Sequence, residues 1–177
     1  SFTRGDRIRA YVLDIGKTAR NATVILSRTH TGLIKNLFEL EVPEINEGII
    51  EIMGIVREPN GRTKIAVKTN DRDVDAVGAC VGMRGMRVQS IVQELRGEKI
   101  DIVEHSDDTE VFIKNALSPA KVSRIIKDSE NNQMTIIVAD DQISLAIGKK
   151  GQNVRLAAKL VKVRIDIKPE SEAHDSL

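Results

Sequence analysis

Two stretches of the chain, "VGMRGMRV" at Val81–Val88 and "IGKKGQNV" at Ile147–Val154, repeat one pattern at a constant offset: 148 − 82 and 151 − 85 are both 66. At that offset Val81 also meets Ile147, Val88 meets Val154 and Val92 meets Ala158, and one residue less brings "KIDI" (from Lys99) onto "RIDI" (from Arg164). Self-similarity at a fixed period means that one supersecondary unit is used twice. Each copy must then fold by the same local rules, which constrains the fold more than composition does.

The unit reads as α-β-β-α-α-β. In the first copy Leu33, Ile34, Leu37 and Phe38 recur at helical spacing behind Thr31, the expected N-cap, and Pro43 ends the helix. "GIIEIMGIVRE" and "RTKIAVKTN" follow as strands joined across Pro59, Asn60 and Gly61, a strong hairpin signal. Asp71, Asp73 and Asp75 lead into a short helix and lack the central glycine and closing glutamate of a calcium loop. Val88, Ile91, Val92 and Leu95 then mark an amphipathic helix closed by Gly97, and "KIDIVE" is the last strand. The second copy runs through "EVFIKNALSPAKV", interrupted near Pro119, a hairpin around Glu130, Asn131 and Asn132, "DQISLAIGKKGQNVRLAAKL" and "VRIDIK". Asp140 and Asp141 are expected to cap a helix. Ahead of both copies, "RIRAYVLDI" (Arg7–Ile15) and "ATVILSRT" (Ala22–Thr29) read as two strands joined by "GKTARN", too few for a stable sheet.

Composition excludes several classes. Of 177 residues 41% are apolar and 30% charged, an ordinary globular balance. No apolar run approaches the length needed to span a bilayer, and no signal peptide opens the chain. The lone Cys80, in "VGACVG", excludes an internal disulfide framework and reads as a buried small hydrophobe in a reducing compartment. His30, His105 and His174 are scattered without metal-ligand spacing, so no metal or cofactor is expected. No nucleophile–base or paired-carboxylate motif points to an enzyme. The formal charge is only +1, but Gly148–Lys168 carries seven Lys or Arg against Asp166, whereas Glu39–Glu58 carries six glutamates against Arg57. Lys159, Lys162, Arg164 and Lys168 stand equally as contact residues or as a solvated rim.

A glycine loop between helices suits phosphate. Gly151 is followed by Gln152, which breaks the Walker pattern, and the loop does not follow a parallel strand as a dinucleotide fingerprint must. Nucleic-acid backbone fits better. Two glycines admit close main-chain approach, the following helix adds its positive dipole end, and Lys149, Lys150 and Arg155 supply charge. Ile147 and Val154 offer apolar ground for splayed bases. This is the arrangement of a KH domain.

The duplicated unit resembles bacterial KH domains of this type. "ALSPAKV", "DDQISLAIGKKGQNVRLAAKL" and "VGACVGMRGMRVQSIVQELRGEKIDIVE" are similar to the tandem KH region of the NusA family of transcription elongation and termination factors. "GDRIRAYVLDI" and "VILSRTH" resemble the last strands of the S1 domain preceding it. The order S1, KH, KH argues against polynucleotide phosphorylase, in which KH comes first. Three features depart from the family: the early S1 strands are missing, "GMRGMR" lacks the proline and serine expected there, and "LVKVRIDI" lacks a glycine and tryptophan.

The resemblance implies an α+β fold: a partial S1 (OB-type) β segment over 1–30, then two tandem type II KH domains (α-β-β-α-α-β) over 31–105 and 106–168. An acidic, disordered tail is expected over 169–177. Single-stranded nascent RNA is the implied partner, held by Gly82, Met83, Arg84, Gly85 and Arg87 in the first copy. The second would use Ile147, Gly148, Lys149, Lys150, Gly151, Gln152, Asn153 and Arg155. By the same resemblance the whole protein would bind RNA polymerase mainly through regions absent here and act in pausing, termination and antitermination in the bacterial cytoplasm, this part being monomeric and free of membrane. Other readings are a KH protein of the ribosome or RNA processing, and a KH scaffold that binds protein.

Overall fold

The computed structural model describes residues 1–17 and 22–173. Strands β1 (Tyr11–Lys17) and β2 (Ala22–Ser27) pair antiparallel. The first unit then runs α1 (Thr31–Glu41), α2 (Pro43–Asn46), β3 (Ile50–Glu58), β4 (Arg62–Thr69), α3 (Ala76–Val81), α4 (Met86–Glu94) and β5 (Lys99–Glu104). The second runs α5 (Thr109–Ala116), β6 (Arg124–Asp128), β7 (Gln133–Val138), α6 (Ile143–Ile147), α7 (Gln152–Val161) and β8 (Arg164–Pro169). Both sheets have the same topology: a hairpin whose second strand pairs parallel with the last strand, in the orders β3-β4-β5 and β6-β7-β8. The duplication is thus a repeated α+β unit.

Each unit closes its own core by helical and strand periodicity. Leu33, Ile34, Leu37 and Phe38 of α1 pack with Ile65, Val67, Cys80, Ile91 and Leu95. In the second unit Phe112, Ile113 and Ala116 of α5 pack with Met134, Ile136, Val138, Ala157 and Leu160. Strand alternation leaves the other face of the first sheet to be covered. There Ala66 and Val103 join the second unit's core, and a Cβ on Gly54 would stand 3.2 Å from the Leu160 side chain. Lys64 lies on this face, fully buried, its Nζ donating to Asp101 Oδ2 at 2.7 Å and to the Ser118 carbonyl at 2.9 Å. Burial lowers its pKa, and Asp101 opposes that shift. The outer face of one sheet therefore docks on α5 and α7 of the next unit.

Several boundaries differ from the expectations. β1 begins at Tyr11 instead of Arg7, because the Arg9 N–H is taken by Glu94 Oε1 at 3.0 Å. The N-cap of α1 is His30, whose Nδ1 accepts from the Gly32 N–H at 2.8 Å, so Thr31 is the first helical residue. Asp140 and Asp141 form a 3₁₀ turn and cap nothing; Asp140 Oδ1 accepts from the Ser171 N–H instead. The tail is ordered at its start. Pro169 ends β8, Glu170–Glu172 make a 3₁₀ turn, and Ala173 is buried. Residues 174–177 and most of the "GKTARN" turn lie outside the described residues. The β1–β2 hairpin exposes Val12, Ile15, Val24 and Leu26, and Arg28 ties its end to Glu94 at 2.8 Å.

Candidate nucleic-acid interface

Both glycine pairs sit where one short helix ends and a longer one begins, and the backbone repeats within a few degrees. Gly82 has φ 78, ψ 169 and Gly148 has φ 78, ψ 171. Arg84 (55, 25) and Lys150 (56, 26) are left-handed, as are Gly85 (73, 14) and Gly151 (74, 12). The first glycine of each pair occupies a region open essentially to glycine alone. It is also crowded: a Cβ on Gly148 would stand 2.7 Å from Asn153 Cβ and 2.8 Å from its N, and one on Gly82 would stand 2.7 Å from Arg87 Cγ. The second glycine faces open space, with nothing nearer than 3.6 Å at Gly151 and 4.0 Å at Gly85. One glycine closes the turn onto the helix, and the other leaves the outer surface bare.

That bare surface carries charge. Arg84, Lys149 and Lys150 are exposed, and among the described residues no acid lies within ion-pair distance of them. Met83 and Met86 are 81% and 68% exposed, so neither packs into the core. Ile147 and Leu145 are 37% and 45% exposed beside the second loop. Each loop thus joins left-handed backbone, exposed cations and accessible apolar side chains at a helix N-terminus.

Four expected contact residues are committed within the protein. Asn153 is 2% exposed and its Nδ2 donates to the Leu117 and Ala146 carbonyls, both at 3.0 Å. Its burial takes it off the list of direct contacts and makes it a peg between α7, α6 and α5. Arg87, its counterpart, donates through Nη1 to Glu44 Oε2 and to the Ala79 carbonyl, each at 2.8 Å. Gln152 donates to Glu58 Oε2 at 2.8 Å, and Arg155 forms a two-point ion pair with the same carboxylate while also donating to the Lys150 carbonyl. The Arg155 guanidinium, with the Gln152 amide, holds the Glu58 carboxyl below its ordinary value, and the carboxylate raises Arg155 in turn.

Sequence reading missed the first unit's share of the second loop's surroundings. Asn60, Gly61, Arg62 and Lys99 stand across a cavity of about 390 Å³ from Leu145, Gly148 and Lys149. No sequence signal links residues this far apart; only docking of one unit on the next brings them together. Among the described residues no cluster of three His, Cys, Asp or Glu is placed to hold a metal, and no helix is long and apolar enough to cross a membrane.

Comparison with known proteins follows the same division of the chain. The profile of NusA-like first KH domains matches residues 28–105, and that of NusA-like second KH domains matches 109–175. The chain is 53% identical to the transcription termination/antitermination protein NusA of Bacillus subtilis over 99% of its own length and 47% of that protein's. It is 48% identical to the same protein of Mycobacterium tuberculosis over 97% of this chain and 50% of that one. It therefore spans about half the length of these relatives. Among solved structures, the crystal structure of APE1850 aligns with a TM-score of 0.53 and 25% identity, over 76% of this chain and 96% of that one. With both KH profiles matched in tandem and about half of all residues shared with curated members, the chain belongs to the NusA family.

Proposed function

We propose that this chain is the single-stranded RNA-binding part of a NusA-like factor, and that each glycine loop grips RNA backbone. The observation carrying this reading is the pair of matching loops, whose exposed faces hold Arg84 in one and Lys149 and Lys150 in the other. Left-handed non-glycine residues cost about 1–2 kcal/mol each. Arg84 and Lys150 carry that cost at matching positions of the two copies, beside the two glycines. Phosphates approach at Gly85 and Gly151, where no Cβ intervenes, and the cations add salt-dependent affinity. Bases lie on Met83 and Met86 at the first loop and on Ile147 and Leu145 at the second. Catalysis has no part in this reading.

The whole protein, by its likeness to the relatives above, acts on RNA polymerase during elongation, termination and antitermination in the bacterial cytoplasm, with contacts to polymerase lying mainly outside this chain. The β1–β2 hairpin is the end of an S1 domain, and the chain is monomeric. Binding of short single-stranded RNA, duplex RNA and single-stranded DNA of equal length, measured side by side, tests the reading. A preference for single strands supports it, and equal weak binding of all three sinks it in favour of a protein-binding scaffold.

A further inference from the structure

The cavity between the two units has no role in either unit alone. Its volume of about 390 Å³ lies within the range of ligand sites, roughly 300–1,000 Å³. One wall comes from the first unit's hairpin turn and β5 (Asn60, Arg62, Lys99), the other from the second unit's loop and the helix before it (Leu145, Gly148, Lys149). Lys99 and Lys149 are exposed, whereas Arg62 is held to Asp101 Oδ2 at 2.6 Å. Exposed Leu145 and Pro119 supply apolar ground in the same cavity. Lysines from both units and apolar side chains lining one cavity suit one nucleotide of a single strand, its phosphate taken by the lysines and its base by Leu145.

Glu58 links the two units beside this cavity. Its carboxylate ends β3 and takes Gln152 and Arg155, the first and fourth residues of α7. A Cβ on Gly61 would run into the Gln152 amide, so the hairpin turn lies directly against the start of that helix. We propose that the first unit's hairpin completes the second unit's RNA site, with Lys99 as a contact residue on its far wall and Glu58 as the positioning residue that fixes the wall. This rests on the RNA-binding reading above and adds that the second loop is not a self-sufficient site.

The test uses the full 177-residue chain carrying Gly85→Asp, which places a carboxylate in the first loop at an open left-handed position and leaves the second loop to bind alone. Anisotropy of a labelled single-stranded RNA of about five nucleotides, slightly more than one KH loop clamps, is measured with Lys99→Gln, Glu58→Gln and Glu58→Asp added singly. Lys99→Gln and Glu58→Gln should each lower affinity about five- to tenfold, and Glu58→Asp should retain part of it. Urea melts of the Glu58 variants show whether the fold persists. Unchanged affinity with either Lys99→Gln or Glu58→Gln overturns the proposal. So does a gain with Glu58→Gln, which would make Glu58 an electrostatic barrier. Lys149→Asn with Lys150→Asn in the same background separates the two readings: a loss there with no effect of Lys99→Gln keeps the loop as the RNA site and rejects the composite wall.

Discussion

Replacing Gly148 by alanine should destabilise the protein more than replacing Gly151, although both glycines have positive φ. At Gly148 the backbone pair (78, 171) lies where non-glycine residues cost of order 1–3 kcal/mol. The added Cβ would also meet Asn153 Cβ at 2.7 Å and its N at 2.8 Å, and neither belongs to a flexible chain end that moves aside. At Gly151 only the left-handed cost of about 1–2 kcal/mol applies, since the nearest atom is the end of Arg155 at 3.6 Å. Gly148→Ala should therefore cost about 3 kcal/mol, or about 6–12 °C in Tm for a chain of this size, and Gly151→Ala about half that. Urea and thermal melts followed by circular dichroism measure both. The first loop supplies an internal repeat, with Gly82→Ala costing more than Gly85→Ala. Equal effects within a pair, or the reverse order in either loop, would refute the argument that the first glycine is dictated by the turn and the second by what approaches it.

Three further outcomes follow from particular groups. Lys64→Ala removes a buried cation from Asp101 and a donor from the Ser118 carbonyl; because Arg62 still holds Asp101, the loss should be near the lower end of the range for a broken buried pair, about 3 kcal/mol by urea titration, and Lys64→Met should lose less. Burial pushes the Cys80 thiol from 9.0 to about 11, so it should resist a thiol reagent at pH 8 until the chain unfolds. Because the folded form binds that proton more tightly, its contribution is complete below pH 9 and fades as pH rises toward about 11, which Cys80→Ala should flatten in a stability–pH curve. Glu58 runs the other way. Its carboxyl is lowered from 4.5, so its stabilising share is present above pH 4.5 and disappears as pH falls through the lowered value, a dependence that Glu58→Gln should remove from urea melts.

The repeated unit could be read from the chain because its signals are local. Leu33, Ile34, Leu37 and Phe38 mark α1, Asn60-Gly61 marks the first hairpin, and the glycine pairs mark the helix–loop–helix turns. The site was legible as far as the loops themselves. What the sequence hid was which polar side chains were already occupied. Gln152, Asn153 and Arg155 follow a glycine loop just as ligand contacts would, but Glu58 and the Leu117 carbonyl claim them across 36 to 97 residues, and the Ala146 carbonyl takes Asn153 as well. In the same way His30 displaced Thr31 as a cap because an imidazole nitrogen serves as an acceptor, which the usual list of cap residues leaves out. The acidic start of the tail also hid its anchors, Asp140 and Ser123.

The most direct test of the central claim, that both loops grip single-stranded RNA through backbone and charge, is fluorescence anisotropy of a labelled RNA of about ten nucleotides, long enough for two four-nucleotide clamps. It is run across a salt series with wild type, Arg84→Asn and the pair Lys149→Asn, Lys150→Asn. Asparagine tolerates the left-handed backbone at Arg84 and Lys150, so the loops keep their shape while losing charge. Each loop variant should bind more weakly, and the slope of log affinity against log salt should fall by about one for each phosphate contact removed. Wild-type affinity and salt slope in both variants would contradict the account and place RNA binding outside the two loops.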